Sequence, residues 1–261
     1  MTEYAPAESG LPDGAETCLS FTVSGPWGHF RRIEGNIVKQ TYRVIPRTTV
    51  AGLVAAMLGI ERDGYYDLFA PAESLVAIEP TSELRTMKLP MNTLSTADEH
   101  LASLNPRGKL SIKLPDPSKP RQQHNYEVLV DPAYRIDVWL DDERYDQLRS
   151  LLESRESYYV PSLGLSEYLA TVDYHGEFPI EQGPDGDTVT IDSTVPEAVD
   201  SIVPDPETRY QVEQTPAFME RDDGGRTTSA FVSYAYNPDG GSLTFADLPT
   251  YSVDDRTVVF T

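Results

Sequence analysis

Apolar residues recur along this chain with two periods, and each period predicts an element. Residues 18–23 (CLSFTV) alternate as a strand does, and Ser24-Gly25-Pro26-Trp27-Gly28 breaks the run. Residues 41–46 (TYRVIP) read as extended, since Pro46 disfavours helix in the residue before it. The clearest helix follows. Val50, Leu53, Val54, Met57 and Leu58 keep helical spacing, Thr48 or Thr49 offers a cap, and Gly59 is a natural terminator. Its other positions, Ala51, Gly52, Ala55 and Ala56, are small and would let another group approach closely. Strands are predicted at 75–78, 127–130 and 134–140, and a second helix over 141–156 with Tyr145, Leu148 and Leu152 on one face. Between them, alternating pieces at 87–91 and 110–114 flank a Ser/Asp/Asn/Pro-rich middle, the pattern of an extended arm. Residues 157–172 are mixed. Short strands are predicted at 188–191, 210–213, 229–236 and 258–260.

These elements define an α+β protein. Residues 1–17 read as a polar arm. Residues 18–175 fit a ferredoxin-like βαββαβ unit with an inserted β-hairpin thumb around 84–124, and residues 176–261 form a β-rich C-terminal domain. Strand faces of such units often bind single-stranded RNA.

Charge changes this picture. The chain carries 42 acidic against 21 basic residues, a net −21, with 5 lysines and 16 arginines. Acids are spread throughout, a pattern suited to a halophilic host, so acidity by itself says little about partners. Two windows run the other way. Residues 29–47 hold Arg31, Arg32, Lys39, Arg43 and Arg47 against Glu34, and residues 101–126 hold Arg107, Lys109, Lys113, Lys119 and Arg121 against Asp116. A polyanion is the first candidate ligand. Arg47 stands before a helix N-terminus, where free N–H groups favour an anion. The single Cys18 excludes an internal disulfide and suits a reducing cytoplasm. No apolar run long enough for a membrane span and no signal peptide is present. No zinc spacing, calcium loop, phosphate-binding loop or paired-carboxylate site is found, so neither cofactor nor metal is expected.

The stretch CLSFTVSGPWGHFRR, followed by TYRVIPRTTVAGLVAAMLGIERDGYYDLF, then MKLPMNTLST, RQQHNYEVLVDPAYRIDVWL and YYVPSLGLSEYLATV, resembles the fifth CRISPR-associated protein family, of the RAMP superfamily. The likeness runs over roughly 18–175 and more weakly over 209–236, with wording like the archaeal type I-B branch. The resemblance implies a non-catalytic subunit that caps the 5′ handle of crRNA in a type I Cascade complex. It also implies contacts with the large subunit and the backbone subunit, and with target DNA through the complex. In the type I-C branch the family cuts precursor RNA without metal, using a Tyr, Lys and His set. Tyr42 falls in the corresponding segment and His124 precedes Tyr126, but Gln123 stands where a Lys is needed, so a binder is expected rather than a nuclease.

The candidate RNA-binding set is therefore His29, Arg31, Arg32, Tyr42, Arg43, Arg47, Arg107, Lys109, Lys113, Lys119, Arg121, His124, Gly224, Gly225 and Arg226. Arginines pair with phosphate and stack on bases, His and Tyr rings stack, and glycines admit a backbone close to phosphate. Ordinary ion pairs with the abundant carboxylates are the alternative for each arginine. A protein-only scaffold is the alternative for the whole.

Overall fold

A computed structural model describes residues 2–3, 11–32, 38–93, 101–104, 112–115, 122–140, 143–222 and 225–261. In chain order its main elements are β1 (Thr17–Ser24), α1 (Arg47–Leu58), β2 (Ser74–Pro80), β3 (Arg85–Thr93), β4 (Gln122–Val130), β5 (Ala133–Leu140), α2 (Arg144–Ser154), β6 (Thr171–Pro179), β7 (Gln211–Asp222), β8 (Gly225–Tyr236), β9 (Tyr251–Val253) and β10 (Arg256–Val258). The class is α+β, rich in strands.

Strands β6, β1, β5 and β2 form one antiparallel sheet in that spatial order, with Phe21 opposite Ile136 and Ile136 opposite Ile78. With α1 following β1 and α2 following β5, the chain traces strand–helix–strand–strand–helix–strand. Alternation decides the faces. Leu19, Phe21, Val23, Tyr134, Ile136, Val138, Val76 and Ile78 point to one side and meet Val50, Leu53, Val54 and Met57 of α1 and Leu148 and Leu152 of α2. These side chains are almost wholly removed from water, which makes this cluster the main hydrophobic contribution to stability.

The helix starts differ from expectation. Pro46, not a threonine, is the N-cap of α1, and Arg47 is its first helical residue. Proline's fixed φ leads the chain in, and the N–H groups of Thr49 and Val50 return to the Pro46 carbonyl at 2.8 and 3.0 Å. Gly59 closes the helix in the left-handed region at φ 75°, as its position predicts. The small side chains Ala51 and Ala55 are buried rather than exposed, because the chain's own β7 and Tyr65 lie against this helix.

Much of the opposite face of the sheet is covered by the chain's own C-terminal segment. Cys18, Leu75, Ala77 and Trp139 pack under Val253, Val258 and Phe260 from the C-terminal β9–β10 hairpin. Arg256 is 8% exposed and donates to Asp137 at 2.7 and 2.8 Å and to Glu79 at 3.0 Å. Desolvation pushes the Glu79 carboxyl upward, against the pull of Arg256.

Strands β3 and β4 pair over nine residues, from Arg85 opposite Val130 to Thr93 opposite Gln122. A second antiparallel pair, Leu101–Leu104 with Ile112–Pro115, lies between them in sequence. We refer to these two ladders as the arm; residues 87–91 of the expected arm lie on β3 and 112–114 on the second pair, while 110–111 lie outside the described residues. Strand β6 was not anticipated: it runs across the compositional shift at 176, with a register irregularity between Tyr174 and Gly176. The long β7–β8 hairpin lies along α1, where Phe218 meets the Arg47 guanidinium at 4.2 Å.

Candidate nucleic-acid interface

The root of the arm is where the first basic island meets β4. Trp27–Gly28 pairs with β4 at Leu129 and Val130, and Val38–Lys39 pairs with it at Asn125 and Tyr126. Phe30–Arg31 pairs with Thr41–Tyr42. The loop at 161–168 fixes this segment from below. Leu163 is fully buried and its carbonyl accepts the His29 N–H at 3.0 Å. Gly164 has φ 91°, and a Cβ there would stand 2.0 Å from the His29 carbonyl oxygen, so only glycine fits.

His29 is 1% exposed. Its Nδ1 lies 2.8 Å from the Glu127 carbonyl, which makes Nδ1 the donor, and its ring meets Tyr126 edge-on at 5.2 Å. Desolvation holds its pKa below the ordinary 6.5, so the ring is neutral at pH 7. Among the described residues Nε2 has no hydrogen-bond partner. His29 is therefore not a surface for base stacking; it supports the strand that carries Arg31.

Two carboxylates organise the arginines. Glu213 of β7, 8% exposed, accepts the backbone N–H of Arg43 at 2.7 Å and of Val44 at 3.1 Å, and lies 3.5 Å from Arg32 Nη1. Desolvation raises the Glu213 pKa, opposed by those two N–H groups. Glu127 of β4 accepts the Thr41 N–H at 3.3 Å and the Thr86 hydroxyl at 3.2 Å, and stands 3.9 Å from Arg43 Nη2. Arg32 also lies over the Tyr42 ring at 5.2 Å. Both arginines are about one-third exposed and already partnered. Arg31 is exposed beside them, Lys39 is half-buried, and Lys88 is exposed on β3 opposite Glu127. His124, half-buried, meets Tyr126 edge-on at 6.4 Å.

Two more candidates leave the set with His29. Arg47 is fully buried: it donates to the carbonyls of Phe69 at 2.8 Å, Ser74 at 3.3 Å and Thr261 at 3.2 Å, and to Ser74 Oγ at 2.7 Å. As the first residue of α1, its side chain turns inward and donates to chain carbonyls, of which that of Thr261 also accepts the Val76 N–H at 3.1 Å. Tyr42 is 7% exposed and belongs to the main core, facing Phe30 across a strand pair.

The second island is only partly placed. Lys113 lies on the Ile112–Pro115 strand of the arm, while Arg107, Lys109, Lys119, Arg121 and Gly224 lie outside the described residues. Gly225, at φ 132°, opens β8 beside the turn, and the exposed Arg226 stands 3.6 Å from Asp63. Arg226 is thus separate from the root of the arm. Lys88, Glu127 and Glu213 went unrecognised in the sequence. Lys88 had a signal in the alternation of MKLPM; Glu213 had none, because β7 reaches Arg43 only through the fold.

Among the described residues no three His, Cys, Asp or Glu side chains are grouped to hold a metal ion, and no helix is long and apolar enough to cross a membrane. Cys18 is buried and its thiol is pushed far upward by desolvation, so it is unreactive.

The fold has counterparts among solved structures. A crystal structure of a CRISPR protein from Archaeoglobus fulgidus superposes with a TM-score of 0.51 at 15% identity, over 93% of this chain and 98% of that one. A chain titled "CRISPR RNA-guided surveillance complex" covers 91% of each at 13% identity, with a TM-score of 0.45. No curated protein matches the sequence. The sequence pattern of the family described as CRISPR-associated protein (Cas_Cas5) matches residues 18–229, and the chain belongs to that family.

Proposed function

We propose that this protein is a non-catalytic crRNA-binding subunit that caps the 5′ handle of guide RNA in a type I Cascade complex, of the type I-B branch, in a halophilic host. In this reading the sheet of β6, β1, β5 and β2 with its two helices is the ferredoxin-like unit of the RAMP superfamily, and the β3–β4 arm is its thumb. The large subunit and the backbone subunit are its neighbours, and target DNA is met through the complex.

The observation that carries the reading is the concentration of Arg31, Lys39 and Lys88 at the root of the arm, on a chain of net charge −21. Cations there face phosphate, and the half-buried His124 and Tyr126 offer ring faces and edges to bases. A nuclease reading is weakened by the burial of Tyr42 and by Gln123 standing before His124. Incubation with a repeat RNA in EDTA leaves the RNA intact under this proposal.

The ion pairs of Arg32 and Arg43 with Glu213 and Glu127 favour a second reading for those two arginines, in which they serve the fold alone. One experiment separates the cases. The tagged chain is recovered from its host in molar KCl and the bound RNA is sequenced. RNAs with one uniform 5′ handle support the capping role. Arg31→Glu with Lys39→Glu then removes the RNA while neighbouring subunits remain. If RNA retention is unchanged, the chain is a protein-only scaffold.

A further inference from the structure

Acidity is uneven along the chain. Residues 176–261 hold 17 carboxylates, no lysine and 4 arginines. Three of those arginines are already paired: Arg256 with Asp137 and Glu79, Arg226 with Asp63, and Arg209 with both oxygens of Asp239.

On this background one stretch exposes four large apolar side chains. Val199 is 40% exposed, Val203 36%, Tyr210 48% and Val212 45%. Val203 and Tyr210 line one cleft with Ile202 and Leu243. Tyr210 and Val212 share a face, since the chain entering β7 alternates and Glu213 points inward. Val199 begins the 3-10 turn Val199–Ser201 that leads to Val203. The rim is acidic, with Asp200, Asp205 and Glu207 exposed. The support is rigid: the Val203 N–H bonds to Thr244 O at 2.8 Å, Ile202 bridges to Phe245, and Asp205 accepts the Glu207 N–H at 3.0 Å and the Thr208 hydroxyl at 2.7 Å.

We propose that Val199–Val212 is a docking surface for a neighbouring protein whose contacting face carries aliphatic or aromatic anchors flanked by Lys or Arg. Charge selects this occupant. Nucleic acid and an anionic bilayer bring negative charge to a negative rim, and a second copy of this chain brings the same carboxylates. The apolar anchors supply affinity that salt does not screen, while the rim sets partner choice.

The test compares the free chain with the assembly recovered from the host through a tag on this chain. Backbone hydrogen exchange over 199–212 slows at least about tenfold in the assembly, the protection expected of a closed interface. The double variant Val203→Asp with Tyr210→Asp loses about tenfold or more of one co-purifying protein, as does Asp200→Lys with Glu207→Lys. RNA content stays unchanged, which separates this surface from the RNA interface. Both pairs of positions are exposed, and an unchanged thermal midpoint shows that the variants fold. Unchanged exchange in the assembly, protection removed by ribonuclease, protection that grows with free-chain concentration, or recovery of the chain alone each overturns the proposal.

Discussion

Arg31 and Arg47 belong to one basic island, yet one faces water and the other is sealed inside the fold. Arg47→Met removes a donor from each of the carbonyls of Phe69, Ser74 and Thr261, the last of which keeps the Val76 N–H. Each buried polar group left unmade costs on the order of 1–3 kcal/mol, so the expected loss of stability is about 3 kcal/mol or more, read by urea denaturation. Arg31→Gln is expected to change stability by less than about 0.5 kcal/mol and still lower RNA retention. Equal stability losses at both positions would refute this division. His29 sets a pH dependence. Its folded pKa lies below the ordinary 6.5, so between the two values the unfolded chain binds more protons. Stability is full above pH 6.5 and falls as the solution is acidified through 6.5 towards the folded value, by at most about 1.4 kcal/mol per pH unit. His29→Gln, which has no titrating ring, should flatten that slope in thermal midpoints measured from pH 7.5 to 5.

Elements were more legible than positions. Alternation located β1, β2 and β5, and the helical spacing of Val50 to Leu58 located α1 with its Gly59 stop. Strand β6 escaped because Asp173, His175 and Glu177 dilute its apolar half and Gly176 breaks its register. Glu213 escaped because its role as a clamp on Arg43 and Val44 depends on β7 crossing to the start of the chain. The covered sheet face escaped for the same reason: the residues that cover it stand at the far C-terminal end. Arg256 is the keystone of that cover, and its removal isolates Asp137, which is 1% exposed. Arg256→Met is expected to cost about 3–5 kcal/mol, as when one partner of a buried ion pair is deleted. The control is Arg209→Met. Arg209 is 63% and its partner Asp239 44% exposed, and the loss of that pair should cost less than about 1 kcal/mol. Chemical denaturation of the two variants decides whether this cover is structural; equal losses would remove Arg256 from that role.

Taken whole, the molecule sets the exposed Arg31 and Lys88 and the half-buried Lys39 at the root of an arm against a strongly negative remainder. Low salt and high salt then act differently. At low ionic strength the carboxylates repel a polyanion over long distances, and at about 1 M salt the Debye length falls to about 3 Å, so both repulsion and attraction become local. The RNA affinity of the isolated chain should therefore depend weakly on salt for so cationic a site, because long-range repulsion and phosphate contact fade together. Counterion release lowers log affinity by about 0.7 per phosphate neutralised on single strands. Replacing Arg31 by Gln should reduce the slope of log affinity against log salt by about one and weaken all RNA sequences alike. Under the proposed capping role, handle selectivity has to come from stacking and directed hydrogen bonds at His124 and Tyr126, and retention in molar KCl from protein neighbours. Titration of handle RNA from 0.1 to 2 M KCl, on the isolated chain and on the assembly, measures both. The assembly should hold its RNA across the range while the isolated chain binds weakly at the top. Tight binding of the isolated chain at 2 M KCl would place the affinity within this subunit and refute the dependence on neighbours.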